Sequence, residues 1–330
     1  MPMPPMIGRS ISFLGMTRLV GKVAACDAPV LVEGETGTGK ELVARAIHYL
    51  SARRENPFIP VNCGAIPDTL VESELFGHQK GAFTDAKTPQ PGLVCLAKGG
   101  TLFLDEVDAL TPKGQVTLLR FLQDQEYRPL GSGDLRKGDV RVITASNVDL
   151  SQLACTGAFR LDLLFRLRIL YLRLDPLRDR QGDVTLLAQH FLAVCEERFR
   201  QGTKTLHPET QAWMERHSWP GNVRELEHFI YREYLLADGA VIRAEIPETP
   251  QEAASEDLAA CLREPNYRQA KAQAMANFER TYLARLLDLA EGNVSLAARL
   301  AGKERRSLGK LLKKYGLSAC PPRSRTLNVG

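Results

Sequence analysis

Seven residues, Gly34-Glu35-Thr36-Gly37-Thr38-Gly39-Lys40, constrain this chain more than any other stretch. They sit between a short apolar run at 29–33 and an amphipathic stretch at 40–51, the strand-turn-helix setting in which glycines let backbone N–H groups curl around phosphate oxygens. The helix N-terminus adds partial positive charge, and Lys40 can reach β- and γ-phosphates. A glycine-rich turn without a ligand is the bland alternative, and the flanking patterns argue against it. At the next position a phosphate-binding loop usually carries Ser or Thr for magnesium; this chain has Glu41, so metal ligation must come from elsewhere.

A partner for that loop is Thr101-Leu102-Phe103-Leu104-Asp105-Glu106, an apolar strand that delivers two carboxylates at its C-terminal end, where open α/β sheets bind ligands. Asp105 is placed to hold Mg2+, directly or through water, and Glu106 to polarise the water that attacks a γ-phosphate. Runs at 29–33, 58–62, 101–104, 140–146 and 169–174 predict five buried strands, since they are short, apolar or β-branched, and bounded by polar turns. Stretches 40–51 and 112–124 carry helical spacing between them, and 184–200, 208–217 and 222–237 form a later helical group bounded at His207-Pro208 and Pro220-Gly221. That alternation predicts an α/β domain with a mostly parallel sheet, then a helical lid.

Charge is uneven along the 330 residues. Residues 262–330 hold 14 Lys/Arg against 5 Asp/Glu, a local +9 against the chain's +4, which leaves the first 261 at −5. An anionic partner at the C-terminal end follows from that polarity. No run approaches the roughly 18 apolar residues of a membrane span, and the first residues lack the basic and apolar regions of a signal peptide, so the expectation is a cytoplasmic protein with no membrane partner. Seven widely spaced cysteines without a CxxC pair suggest neither a zinc site nor a disulfide framework.

The stretch from Glu72 to Ala86, with Glu74-Leu75-Phe76-Gly77-His78 and Gly81-Ala82-Phe83-Thr84-Asp85-Ala86, resembles the ELFGHxxGAFTGA region of bacterial enhancer-binding proteins, the AAA+ activators of sigma-54 RNA polymerase. GETGTGKE from Gly34, GGTLFLDE from Gly99, FRLDLLFRL from Phe159 and WPGNVREL from Trp219 look like that family's motifs in the same order. The resemblance implies an α/β P-loop AAA+ domain, with a five-stranded parallel sheet and helices on both faces, over 1–175, a helical lid over 176–243, a linker over 244–265, an all-α helix-turn-helix over 266–318 and a tail over 319–330. It implies ATP and Mg2+ as cofactors, Asn62 coupling γ-phosphate state to Glu106, Ser146 and Asn147 at the sensor I position, and Arg224 at sensor II. It also implies that Arg160 and Arg166 are arginine fingers reaching a neighbouring subunit's nucleotide, which makes hydrolysis depend on a homo-oligomeric, hexameric ring. Without the resemblance, Asn62 reads as a strand end, Ser146-Asn147 as a turn, the two arginines as a solvated basic helix and Trp219 as core packing.

The loop Gly81 to Ala86 would contact the sigma-54 RNA polymerase holoenzyme. It carries Asp85 where the family has glycine, which adds a Cβ and a charge. Helices at 278–289, 295–300 and 304–315 have helix-turn-helix spacing and resemble the Fis-type DNA-binding domain, with Arg305, Arg306, Lys310, Lys313 and Lys314 facing double-stranded DNA. The 28 residues before the first strand are too few for a sensing domain, so control is expected from expression level or from a regulatory partner protein in trans. Three readings stay open: an activator that docks on upstream DNA and remodels the sigma-54 polymerase, a DNA-binding repressor or sigma-54-independent regulator with an altered loop, and a non-transcriptional AAA+ remodelling ATPase.

Overall fold

The apolar runs assemble into one parallel sheet in the computed structural model of the chain, which describes residues 5–83, 86–244, 275, 279, 282–283, 286–287, 290, 293–301 and 305–314. Strands β1 (Val30–Glu33), β2 (Phe58–Asn62), β3 (Thr101–Asp105), β4 (Arg141–Ser146) and β5 (Leu170–Arg173) pair in the order β2-β3-β4-β1-β5. Registers Asn62 to Asp105 and Glu33 to Ser146 bring four strand ends to one edge. β1 and β4 are buried along their whole length, which is why they read as continuous rather than alternating apolar runs.

Helices α1 (Ile11–Ala24), α2 (Lys40–Tyr49), α3 (Val71–Phe76), α4 (Leu93–Leu96), α5 (Pro112–Asp124), α6 (Leu150–Cys155) and α7 (Leu161–Leu167) cover the sheet. The period-2 alternation divides the strands between two cores. Val30, Val32, Phe103 and Ile143 pack with α1 and α2, whereas Leu31, Leu102, Leu104 and Val142 pack with the layer from α3 to α7. α1 was not anticipated from the sequence; Ser10 caps it by accepting from the Phe13 N–H. At its other end the buried Arg141 donates from Nη2 to Val23 O at 2.8 Å and from Nη1 to Ala24 O at 3.3 Å, a cation on the negative end of the helix.

The lid follows as α8 (Asp183–Phe199), α9 (Pro208–Arg216) and α10 (Asn222–Leu236), close to the expected bounds, within the same unit, Met1–Glu245. Its core centres on Trp219, 1% exposed, which meets Trp213 and Phe229 edge-on at 5.7 Å each and donates from Nε1 to Met214 O at 2.9 Å.

The second unit, Ile246–Gly330, has described helices α11 (Val294–Leu300) and α12 (Arg305–Lys314). Asn293 caps α11 by accepting from Ser295 and Leu296 N–H, and Leu283, Leu286, Leu287, Ala297, Leu308 and Leu312 share a core. The expected linker at 244–265 lies outside the described residues except for Ala244. The expected tail at 319–330 and the Thr84-Asp85 tip lie wholly outside them. Among the described residues no helix is long and apolar enough to cross a membrane.

Trp219→Ala removes the more deeply buried of the two tryptophans in the lid core and is expected to lower unfolding stability by about 3–5 kcal/mol. The shift of the urea midpoint measures it, and a loss under about 1 kcal/mol would show that the lid core does not depend on this ring.

Candidate functional site

The turn after β1 is shaped by two glycines in left-handed backbone. Gly37 has φ +77, and a Cβ there would stand 2.2 Å from the Gly221 carbonyl; Gly39 has φ +101 and starts α2. Lys40, 7% exposed, donates from Nζ to Gly34 O at 2.7 Å, Glu35 O at 3.0 Å and Asn147 Oδ1 at 2.7 Å. Thr38 Oγ1 closes the turn on Glu35 O at 2.7 Å. Burial pushes the Lys40 ammonium below its ordinary range, and the carboxylates of Asp105, Asp108 and Glu106 oppose that shift.

Those carboxylates come from the end of β3 and the turn after it. Asp105 Oδ1 accepts the Glu106 N–H at 2.9 Å, and burial raises the Asp105 carboxyl above its usual range. Glu106 has φ +54 and ψ +46, a left-handed conformation that costs a residue with a Cβ about 1–2 kcal/mol. The Asp105 bond and the Ala109 N–H to Glu106 O bond hold it there, the strained geometry expected where a side chain must be aimed at a reacting centre.

Of the other expected residues, Asn147 is drawn fully into the site, since it receives Lys40 and donates its N–H to Asp108 Oδ1 at 3.2 Å. Ser146 is buried and spends its hydroxyl on Val148 O at 2.7 Å, shaping the turn that presents Asn147. Asn62 pairs with Asp105 in register, but its Oδ1 caps the following turn by accepting from Gly64 N at 2.8 Å. Arg224 lies beside the loop, its Cβ 3.2 Å from where a Gly37 Cβ would stand. Glu41 is turned outward, its Oε1 accepting from Arg45 Nε and Nη2 at 2.9 and 2.7 Å, so its side chain does not line the site. Arg160 and Arg166 are exposed at the two ends of α7, with Arg160 held by Asp162 at 2.7 Å. In the second unit Arg305, Arg306, Lys310, Lys313 and Lys314 are all exposed, and Lys314 pairs with Glu279 at 3.7 Å.

The lid meets the loop through residues that sequence reasoning missed. Asn222, fully buried at φ +53, donates from Nδ2 to Thr36 O at 3.0 Å and Glu35 Oε2 at 3.2 Å, and accepts from Leu177 N at 2.7 Å. Val223 N donates to Gly37 O at 3.0 Å, and Arg178 forks onto Glu35 at 2.8 and 2.5 Å. Arg178 carries no local signal, and Asn222 lies inside the Trp219–Leu226 motif without a spacing that marks its contact with the loop. A cavity of about 330 Å³ opens beside the loop, walled mostly by apolar groups including Met6, Ile7, Phe13, Leu174, Phe191 and Val223. Its wall from the N-terminal segment is fixed by Asp183, 0% exposed, which accepts from Arg9 N, Ser10 N, Ser10 Oγ and Arg180 Nε at 2.6 to 3.0 Å.

The carboxylates suit a hard divalent cation. Asp105 and Glu106 bring hard carboxylate donors to the edge of the loop, and Mg2+ is held by one or two such groups together with phosphate oxygens and water.

Comparison with known proteins matches two families along the chain. The Sigma-54 interaction domain family matches residues 6–173, and the AAA+ ATPase lid domain family matches residues 178–260. The regulatory protein AtoC of Escherichia coli (strain K12) is 40% identical over 312 residues, 93% of this chain and 67% of AtoC. The Sigma54-dependent transcriptional regulator SfnR of Pseudomonas fluorescens (strain Pf0-1) is 50% identical over 221 residues, 67% of this chain and 60% of SfnR. The crystal structure of NtrX from Brucella abortus in complex with ADP aligns with a TM-score of 0.69 at 30% identity, over 95% of this chain and 69% of that one.

Burial raises the Asp183 carboxyl, but hydrogen bonds from the Arg9 N–H, the Arg180 guanidinium and Ser10 outweigh it and hold the group below its ordinary range. A carboxylate depressed in this way contributes stability above its unfolded value and loses it as pH falls through its folded value. Asp183→Asn should therefore unfold about 1–3 kcal/mol more easily than wild type at neutral pH. That gap should narrow in acid, below about pH 4. Thermal unfolding as a function of pH reads it, and a gap that does not change with pH would contradict this account of Asp183.

Proposed function

This chain belongs to the sigma-54-dependent transcriptional regulators, whose Sigma-54 interaction domain is an AAA+ ATPase, and from that premise we propose that it hydrolyses ATP with Mg2+ to remodel the sigma-54 RNA polymerase holoenzyme. The observation that carries this reading is the convergence on one loop of the Lys40 ammonium, the Asn147 amide, the Asp105 and Glu106 carboxylates, and Arg224 from the lid. In it, backbone N–H groups of residues 34–40 and Lys40 grip the phosphates, and the apolar cavity beside the loop takes the adenine. Asp105 would hold Mg2+, and the ion would supply neutralisation of charge on the phosphates. Glu106 takes a proton from water as its oxygen bonds the γ-phosphorus and the bond to the bridging oxygen breaks, releasing ADP and phosphate. NtrX, whose crystal structure is a complex with ADP, supports the nucleotide assignment.

Arg160 and Arg166 act in this proposal on the nucleotide of the next subunit in a hexameric ring. Support comes from the exposure of Arg160, which caps the start of α7, and of Arg166 near its end, in a segment where Phe165 is 69% exposed and Leu161 and Ile169 are each 55% exposed. A face that is apolar and cationic together suits burial against another copy better than permanent contact with water. The α12 face with Arg305, Arg306, Lys310 and Lys313 docks on upstream double-stranded DNA, and the local +9 supplies a salt-dependent attraction. Regulation by a partner protein in trans completes the proposal.

One sequence observation favours a second reading. Asp85 replaces the family glycine in the polymerase-contacting loop, which fits a DNA-binding regulator whose motor is uncoupled from the polymerase. The deciding experiment measures ATP hydrolysis and open promoter complexes with sigma-54 polymerase, for wild type, Asp85→Gly and Glu106→Gln. The expectation is that wild type does both, and that Glu106→Gln binds ATP yet loses about 100-fold or more in turnover. Wild type that hydrolyses ATP but opens no promoter, with opening gained by Asp85→Gly, selects the uncoupled reading.

A further inference from the structure

The Asp183 carboxylate does more than anchor the start of the lid. Its four hydrogen bonds go to residues that follow the cavity wall at Met6 and Ile7, across 173 and 174 positions of sequence, and to Arg180. Arg180 extends the same cluster in two directions: Nη2 donates to Ile7 O at 3.2 Å, and the guanidinium lies 4.5 Å from the centre of the Phe13 ring, both of them lining residues. Fit is tight on both sides of the cluster. A Cβ on Gly8 would stand 2.4 Å from Phe13 Cδ1 and 2.8 Å from Asp183 Oδ2, and one on Gly182 would stand 2.9 Å from the Arg9 guanidinium.

We propose that Asp183 is a positioning residue for nucleotide recognition: by clamping residues 7–10 onto the first turn of the lid, it holds the N-terminal wall of the cavity at the spacing a purine base requires. The inference rests on the reading that this cavity takes the base. The phosphate loop has its own supports in Lys40, Asn147 and Asn222, and Asn222 meets the clamp only through Leu177, whose N–H it accepts and whose carbonyl accepts the Arg180 N–H. In this proposal the clamp acts on the base end of the nucleotide, while the grip on the phosphates rests on Lys40 and the loop it is bonded to. It also ties the base pocket to lid position, because one jaw is the start of α8.

Asparagine at 183 would keep the shape but lose the charge, and it would either present an N–H to Arg180 Nε or leave the Arg9 and Ser10 N–H groups without an acceptor. Losing a charge-assisted hydrogen bond of this kind is worth about a tenfold change in an equilibrium constant. Calorimetric binding of Mg-ATP and of inorganic tripolyphosphate, which has no base or ribose, separates the two ends of the site. The expected result is that wild type prefers ATP, and that Asp183→Asn and Gly8→Ala, with native circular dichroism, each weaken ATP about tenfold while changing tripolyphosphate affinity less than about twofold. Gly8→Ala keeps the carboxylate and disturbs only the fit, so it carries the test if the asparagine variant does not fold. Equal losses for both ligands, or folded variants with wild-type preference for ATP, overturn the clamp. Wild type that binds ATP no better than tripolyphosphate overturns the base-pocket reading itself, and the clamp with it.

Discussion

Everything else in this structure is arranged around one ammonium that has been taken out of water. Lys40 is almost fully buried, and a cation in that position is costly unless groups of opposite polarity surround it. Two loop carbonyls, the Asn147 amide oxygen and a field from three carboxylates supply that compensation. Each supporting group stands at the C-terminal end of a parallel strand or in the turn just beyond. The strand order β2-β3-β4-β1-β5 therefore does chemical as well as architectural duty, because it brings Asp105, Asn147 and the glycine loop to one edge. Charge held ready inside a low-dielectric crevice is worth more to a phosphate than the same charge at the surface.

Local conformation then aims the groups. Glu106 and Asn222 both occupy left-handed backbone without being glycine, and both sit where one position must serve the site and the packing together. Glu106 turns the chain out of β3 so that its carboxylate leaves the strand axis, while Asn222 begins α10 and inserts its amide into the loop. Lid and loop share backbone contacts at Gly37, Gly221 and Val223, so a change in the loop has a direct path to the lid.

How much of this was legible depended on distance along the chain. The five strands were visible because parallel strands buried on both faces are short continuous apolar runs, and the observed bounds differ by a residue or so. Lys40, Asp105 and Glu106 were visible because their motif spells out its own strand-turn-helix context. Asn147 and Arg224 came only through family resemblance, since a turn asparagine and a surface arginine carry no mark of what the fold brings near them. α1 was passed over because its buried positions, Val20, Val23 and Ala24, lie at one end while Ile11, Leu14 and Leu19 face outward, which blurs the apolar stripe. Asp183, Arg178 and Asn222 were invisible for a different reason: the partners that join them to the loop and the N-terminal segment, Glu35, Thr36, Arg9 and Ser10, are 143 to 187 residues away, and no local pattern encodes a carboxylate that must meet another segment's N–H groups. Glu41 shows the converse, a motif position whose side chain the fold assigns to Arg45 instead.

The site works as described only if Lys40 is the group that a triphosphate engages. Titration of wild type and Lys40→Met with Mg-ATP measures that most directly, with thermal unfolding in buffer confirming that both are folded. Loss of a buried, charge-assisted contact predicts ATP binding weaker by about 10- to 100-fold in the variant. Equal affinity in two folded proteins would contradict the site described here, because the compensation built around that ammonium would then serve the fold alone.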